Sequence, residues 1–393
     1  MWKKWYFWCG WLALFLATAA TVYVWGSRKS LSQTTTEQFT ADPITAPEEP
    51  VAEPEPPPDP LRPVYGVIVG YGGGSHAGGA LADTIIVVQL LPRQEKINLI
   101  SLPRDLWVKL PFSAQADTTQ DWYTKINSTF AIGNSQRQYT WRPDIYQGKH
   151  GGGQLLADVV SDIIGQEVEY YLAVDFAGFQ KIINLIAGQE GLKVDVPYSF
   201  VDEFYPIAGE EDNPCGWSEE DIATMSATLR GYELEQQFPC RYERLEFRQG
   251  VQRIPADQLL KFARSRHSGV GGGDFGRSQR QEVVIEAVKD KLFSVSMIVK
   301  IPELLGNIWQ MVTTNADLEL VRKALLDYGD VKNWSINSQV ISNQNLLVDG
   351  RSSDGQYVLR PRAGQDDYHD IQVLVLEMAG QASAEAELTT EQY

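Results

Sequence analysis

Two short stretches carry the side chains best suited to chemistry. In the first, "DTIIVVQLLPRQEKINLISLPRD", Asp83 and Asp105 lie 11 residues on either side of Gln94. "TIIVVQLL" and "INLISL" read as strands, and "PRQEK" between them as a hairpin turn. An antiparallel hairpin without a bulge brings both carboxylates to one end of a sheet, with Arg104 beside them. Two acids at a strand end suit Mg²⁺ (or Mn²⁺), which takes one or two carboxylates together with substrate phosphate oxygens. The alternative is a pair of ordinary turn acids. In the second stretch, "RSRHSGVGGGDFGRSQR", Arg264, Arg266, Arg277 and Arg280 gather within a chain of formal net charge −17, with Asp274 the one acid among them. If a helix starts near Gly276, then Arg277, Arg280 and Gln281 fall at i, i+3 and i+4 and share a face. Arg264 and Arg266 end the helix before it, and the glycines let the two ends approach. Guanidinium groups around a helix N-terminus suit a phosphate or pyrophosphate. Solvated arginines at helix ends are the alternative, but four converging around one acid favour anion binding.

Other candidates are weaker. "GYGGGSHAGGA" has neither the ending of a P-loop nor the dinucleotide fingerprint, and reads as a flexible rim loop. His76 within it reads as a solvated loop histidine, with proton shuttle or metal ligand as the sharper alternatives. His267 has a positioning role at most. Cys215 and Cys240 flank an acidic segment. They either close a disulfide, stabilising by roughly 3 kcal/mol on the chain-entropy model, or remain two buried thiols. No nucleophile elbow, zinc motif or Cys–His arrangement is present.

These residues need a scaffold, and the sequence supplies one. Apolar residues make up 43% of the chain, enough for a packed core, and the acidic balance argues against nucleic acid as a partner. "VYGVIVG", "YYLAVDF" and "GLKVDVP" read as strands. "GQLLADVVSDIIG", "AGFQKIINLIAG", "IPADQLLKFARS" and "SQRQEVVIEAVKDKLFS" have helical spacing. Alternation with one hairpin included predicts an α/β fold, a mixed central β-sheet covered by helices. Ahead of it, "WYFWCGWLALFLATAATVYVW" runs from Trp5 to Trp25 without a charge, with aromatics at both ends. We read residues 1–29 as a cytoplasmic N-terminus and transmembrane signal-anchor, Cys9 unpaired within it; a cleaved signal peptide is the competing reading. Residues 30–63 form a Pro- and acid-rich stalk. The main domain is expected over 64–294, with a C-terminal extension over 295–379 and a polar tail over 380–393.

The order of anchor, stalk, "ADTIIVVQLLPRQEKINLISLPRDLWV", "KINSTFAIG", "YYLAVDFAGFQKIINLIAG", "LLKFARSRH" and "DFGRSQRQEVVIEAVKDKL" resembles the LytR-CpsA-Psr family, over roughly Val64 to Ser294. The resemblance implies helices on both faces of the sheet and an apolar groove for a lipid tail. It implies a single-pass protein of the bacterial cell membrane with an extracytoplasmic, Mg²⁺-dependent phosphotransferase domain. Such enzymes move a glycopolymer from a polyprenyl-pyrophosphate carrier to peptidoglycan through a phosphodiester. Carried over by motif, Asp83 and Asp105 belong to the metal region, and Arg104, Arg264, Arg266, Arg277 and Gln281 to the pyrophosphate, with Arg280 less firmly placed. Lys125, Asn127 and Asp274 support them. The general base is left between Asp105 and Asp83. Two departures stand out: Tyr71–Gly74 replaces an acid after the first strand, and Leu81 replaces an arginine two residues before Asp83. His76 could compensate. The acidic segment at about 202–249 looks like a disulfide-tied insertion. A polyprenyl-pyrophosphate phosphatase and a non-catalytic binder or regulator of anionic lipid-linked polymers are the competing functions.

Overall fold

The structure, a computed structural model, describes residues 59–74, 78–115, 119–292, 301–319, 321, 323 and 333–381. The anchor, most of the stalk, His76, the side chain of Asp274 and nearly all of the tail lie outside the described residues. Among the described residues no helix is long and apolar enough to cross a membrane.

The elements run β1 (Val64–Tyr71), β2 (Ala82–Leu91), β3 (Lys96–Leu102), β4 (Trp107–Lys109), β5 (Tyr123–Lys125), α1 (Ile126–Asn134), α2 (Gly151–Ile164), β6 (Val168–Asp175), α3 (Phe176–Ala187) and β7 (Leu192–Val196). They continue with β8 (Phe200–Pro206), α4 (Glu219–Thr228), β9 (Tyr242–Phe247), β10 (Gly250–Ile254), α5 (Ala256–Arg264), α6 (Gly273–Leu292), α7 (Ile301–Trp309), β11 (Thr313–Thr314), β12 (Ser335–Val340), β13 (Leu347–Arg351), β14 (Tyr357–Pro361) and α8 (His369–Met378). The central sheet has the order β11-β6-β1-β2-β3-β12. It is mixed: β2 pairs antiparallel with β1 and β3, whereas β6 runs parallel to β1 and β12 parallel to β3.

Strand periodicity splits the core between the two faces of this sheet. Ile86, Val88 and Leu90 point to one face, where α3, α5 and α6 deliver Ile182, Leu259, Phe262 and Val284. Ile85 and Val87 point to the other, against Phe130 of α1, Leu155 and Val159 of α2 and Val375 of α8. Burying each such side chain contributes about 1.5–3 kcal/mol relative to leaving it exposed.

The segment read as an insertion is tied in more closely than its acidity suggests. Cys215 and Cys240 form a disulfide, with Cα atoms 5.6 Å apart. The boundary at 202 cuts through β8, however, and Phe200, Tyr205, Leu245 and Phe247 belong to the buried core beside α5. Only the part between these strands, α4 included, is a surface excursion: α4 buries none of its residues.

Candidate active site

The hairpin forms as expected, Leu91 opposite Lys96, but its register differs from a symmetric one. Ile85 pairs with Leu102, so continuing the ladder sets Asp83 opposite Arg104 rather than Asp105. On its other side Asp83 has no partner at all. Gly70 pairs with Thr84 and Tyr71 with Ala82, which leaves Asp83 as the extra residue of a β-bulge. A bulge re-aims the side chain it carries. It takes Asp83 out of the alternation between the two core faces.

The Arg104 guanidinium sits between the two acids. Its Nη1 donates to Asp83 Oδ1 at 2.8 Å and its Nε lies 3.6 Å from Asp105 Oδ2. Lys125 Nζ donates to the other Asp105 oxygen at 2.6 Å. Backbone bonds hold the group together: the Ile126 N–H donates to the Leu106 carbonyl at 2.8 Å, and the Asn127 N–H to the Arg104 carbonyl at 3.3 Å. The Asn127 side chain is itself buried and accepts from Ser128 Oγ, so its part is architectural. Asp83, Arg104, Asp105 and Lys125 therefore form one cluster at the sheet end. Of its two acids Asp83 is the more open, with a side chain 35% exposed against 17% for Asp105.

The arginine stretch divides. Helix α6 begins at Gly273, one turn earlier than expected. Gly276 allows the hinge to close on it, since a Cβ there would lie 1.7 Å from the Gly271 carbonyl oxygen. Gln281 Nε2 donates to Thr84 Oγ1 at 3.1 Å, next in sequence to Asp83. Arg264, at the end of α5, lies over the Phe176 ring at 3.9 Å and donates to the Tyr205 hydroxyl at 3.2 Å. Burial pushes the Tyr205 pKa up, so the phenol keeps its proton and its oxygen remains an acceptor for Arg264. Arg277 is nearly buried one turn before Gln281.

Arg280 is corrected outright. It is fully buried, its Nε donating to the Phe262 carbonyl at 2.9 Å and its Nη1 to the Gly271 carbonyl at 2.6 Å, with Nη2 on the Ser265 carbonyl. Successive residues on a helix are rotated by roughly 100°, so Arg280 lies a quarter turn or more from the face of Gln281. It fastens the hinge and does not reach an anion at the surface.

Two carboxylates that the sequence did not single out complete the frame. Asp202, fully buried in β8, accepts from Ser265 Oγ at 2.6 Å and from the N–H groups of Arg266 and His267 at 3.1 and 3.2 Å. It fixes the backbone that carries Arg266, and His267 turns away to the Phe204 carbonyl. A lone acid 63 residues upstream offers no local signal of this contact. Asp175, which ends β6 opposite Tyr71, caps α3 through the Gly178 N–H at 2.6 Å. It also packs on the glycine loop: Gly73 has φ +75°, and a Cβ there would lie 3.0 Å from Asp175 Oδ2. The loop thus borrows an acid from the neighbouring strand where β1 has none of its own.

Behind Thr84 runs a channel of about 130 Å³, lined by Ile68, Ile86, Leu172, Phe179 and Ile285 and closed at its polar end by Asp175, Arg264 and Gln281. It belongs to the face covered by α3, α5 and α6. The arrangement can hold an apolar chain with an anionic head. The carboxylates of Asp83 and Asp105 are oxygen ligands of the kind Mg²⁺ uses. Among the described residues there is no cluster of three or more His, Cys, Asp or Glu that could hold a metal ion.

The chain resembles proteins of known name. It is 26% identical over 234 residues to the polyisoprenyl-teichoic acid–peptidoglycan teichoic acid transferase TagV of Bacillus subtilis (strain 168), covering 60% of this chain and 44% of the relative. It is 25% identical over 282 residues to the regulatory protein MsrR of Staphylococcus aureus (strain COL), covering 72% and 65%. The match therefore spans less than two thirds of either relative. The crystal structure of B. subtilis TagV shares the fold, with a TM-score of 0.52 at 23% identity over 81% of this chain and 98% of that one. So does protein gbs0355 from Streptococcus agalactiae, with a TM-score of 0.54 at 20% identity over 81% and 89%. The family model described as LytR_cpsA_psr matches residues 64–368, most of the chain. With its mixed sheet, its Pro-Arg-Asp hairpin end and its Arg-Xaa-Arg hinge, this chain belongs to the LytR-CpsA-Psr family.

Proposed function

We propose that this protein is a membrane-anchored, extracytoplasmic phosphotransferase that moves a glycopolymer from a polyprenyl-pyrophosphate carrier to peptidoglycan. The observation that carries the reading is the apolar channel ending at Arg264 and Gln281, one residue from the Asp83–Arg104–Asp105 cluster. An isoprenoid tail fits such a channel, and a pyrophosphate fits its cationic end. The relative TagV, a polyisoprenyl-teichoic acid–peptidoglycan teichoic acid transferase by name, supports a lipid-linked glycopolymer and peptidoglycan as substrates. The uncharged stretch from Trp5 to Trp25 supports the anchor.

In the reaction, an acceptor hydroxyl oxygen attacks the phosphorus that bears the saccharide. The P–O bond to the bridging oxygen breaks, and polyprenyl phosphate leaves with the electron pair. Arg104, Arg264, Arg266 and Arg277 offset its charge, with Gln281 orienting the group. The hydroxyl proton goes to Asp83, whose Oδ2 is the oxygen that Arg104 does not hold. Asp105 would hold Mg²⁺, which supplies neutralisation of phosphate charge, and Asp83 is left to take the proton. Lys125 keeps Asp105 in place.

The test is to incubate the full-length protein with polyprenyl-pyrophosphate oligosaccharide, Mg²⁺ and peptidoglycan oligomers, beside an Arg264→Ala variant. Transfer adds sugar phosphate to the acceptor mass, and the variant should lose about 10²–10³-fold in rate. Free sugar phosphate alone would make the protein a phosphatase. Retention of the lipid with neither product would favour the binder that Leu81, in place of an arginine, also suggests.

A further inference from the structure

The second large concavity beside the carboxylates has different walls from the channel. It encloses about 420 Å³ and is lined by Trp107, Trp122 and Tyr139, by the amides of Gln138 and Gln356, and by Leu81 and Lys125. Lys125, whose ammonium holds Asp105, is shared between the groove wall and the cluster. Two of its rings touch, Tyr139 lying 5.1 Å from Trp122, and Trp141 outside the lining backs both, 6.4 Å from Trp122 and 5.7 Å from Tyr139. The set is held rigidly. Arg142 is buried and donates to the carbonyls of Gly133, Ser135, Gln138, Tyr139 and Tyr146. Tyr139 itself takes a left-handed backbone, with φ of 58°, which a bulky side chain adopts only when its surroundings impose it. Nothing in the anion site needs this loop.

We infer that this groove is the binding site for the saccharide of the acceptor, and the inference rests on the transferase reading above. A pyranose ring has faces of C–H groups and a rim of hydroxyls. The C–H faces lie against the electron-rich faces of Trp and Tyr, while planar amides donate to and accept from neighbouring hydroxyls. The groove presents these two kinds of surface together. Its position assigns it to the acceptor and not to the donor. Transfer is in line, so the attacking hydroxyl enters opposite the leaving lipid phosphate. Where the chain enters β2, Leu81 lines the groove, Thr84 lines the channel, and the bulged Asp83 stands between them in sequence. A lipid in the channel and a saccharide in the groove therefore meet at Asp83 from two sides. Leu81 fits this role, since a charge at that position would replace an apolar wall of the groove.

The test uses the full-length chain in detergent micelles and an N-acetylglucosamine–N-acetylmuramic acid tetrasaccharide, with binding followed by tryptophan fluorescence and calorimetry. Saturable binding is expected, weakened at least tenfold in Trp122→Ala, while retention of polyprenyl pyrophosphate is unchanged. Arg264→Ala should do the reverse. Should Trp122→Ala fail to fold, Gln138→Ala and Gln356→Ala, at exposed positions, carry the same expectation at several-fold. No tetrasaccharide binding by the unaltered protein, or equal binding by all three groove variants, would overturn the inference. So would groove variants that lose the lipid-linked donor but keep the tetrasaccharide. Tetrasaccharide binding in the groove without any transfer product would instead sink the transferase reading and leave the saccharide site standing.

Discussion

The hinge beside the channel and the loop beside the groove use the same device for different ends. Each is a stretch of irregular backbone with many carbonyls, and each is gathered by one buried guanidinium. Arg280 collects the carbonyls of Phe262, Ser265 and Gly271; Arg142 collects those of five residues from Gly133 to Tyr146. Burial lowers the pKa of both arginines, yet a guanidinium stays charged, and its fixed fork suits several acceptors at once. What differs is the load. The channel-side hinge carries Arg264 and Arg266, two positive charges. The groove-side loop carries Tyr139 and Trp141, rings with no charge to offer. A shared way of fixing loops thus leaves the chemistry of each wall free to differ.

Arg280→Ala should break this symmetry most severely. It strands three buried carbonyls and empties the space over the Phe200 ring, where Arg280 Cζ sits at 4.7 Å. A loss of about 3–5 kcal/mol in unfolding free energy is expected, read by denaturant melts, with Arg280→Lys recovering only part of it. If Arg280→Ala kept full stability and lost only lipid binding, the arginine would belong to the anion site after all. Arg142→Ala should cost less, about 2–4 kcal/mol, because its loop is nearer the surface and water can reach some of the carbonyls. Ile285→Trp, which narrows the channel from a partly buried position, should weaken retention of the polyprenyl carrier about tenfold in a lipid-binding assay without changing the melt.

The smallest effect concerns pH. His150 lies 2.5 Å from the Tyr171 hydroxyl, and burial, helped by the charge on Lys149, holds its pKa below the ordinary 6.5. The unfolded chain then binds more protons than the folded one in the window below 6.5. Stability is complete above 6.5 and declines as pH falls toward the lowered folded value. Melting temperatures from pH 7.5 to 5 should show a shallow decline that a His150→Gln variant flattens.

Local pattern made much of this fold legible. Short apolar β-type runs gave β1, β2 and β3, which are buried on both faces, and helical spacing gave α2, α3 and α6, because residue order records how each element is buried. The same locality made the Asp83–Arg104–Asp105 group and the Arg264–Gln281 hinge readable as neighbours, since hairpin ends and hinged helix ends are close in sequence. What escaped depends on small offsets and distant contacts. One extra residue in β2 turned Asp83 into a bulge against β1, and a four-residue connection between Leu91 and Lys96 set Arg104 opposite it on the β3 side. About 100° of helix rotation sent Arg280 into the core, one position before Gln281.

The sequence by itself determined which side chains exist for the chemistry and which elements hold them. Tertiary structure decided which way they point. Asp202 reaches residues 265–267 across more than 60 positions, and Trp107, Trp122 and Tyr139 line one groove although they come from β4, the residue before β5 and the loop after α1. Such meetings follow from how the sheet stacks its two helical layers. Side-chain burial and backbone hydrogen bonding act on the whole stack together, and no single segment records them.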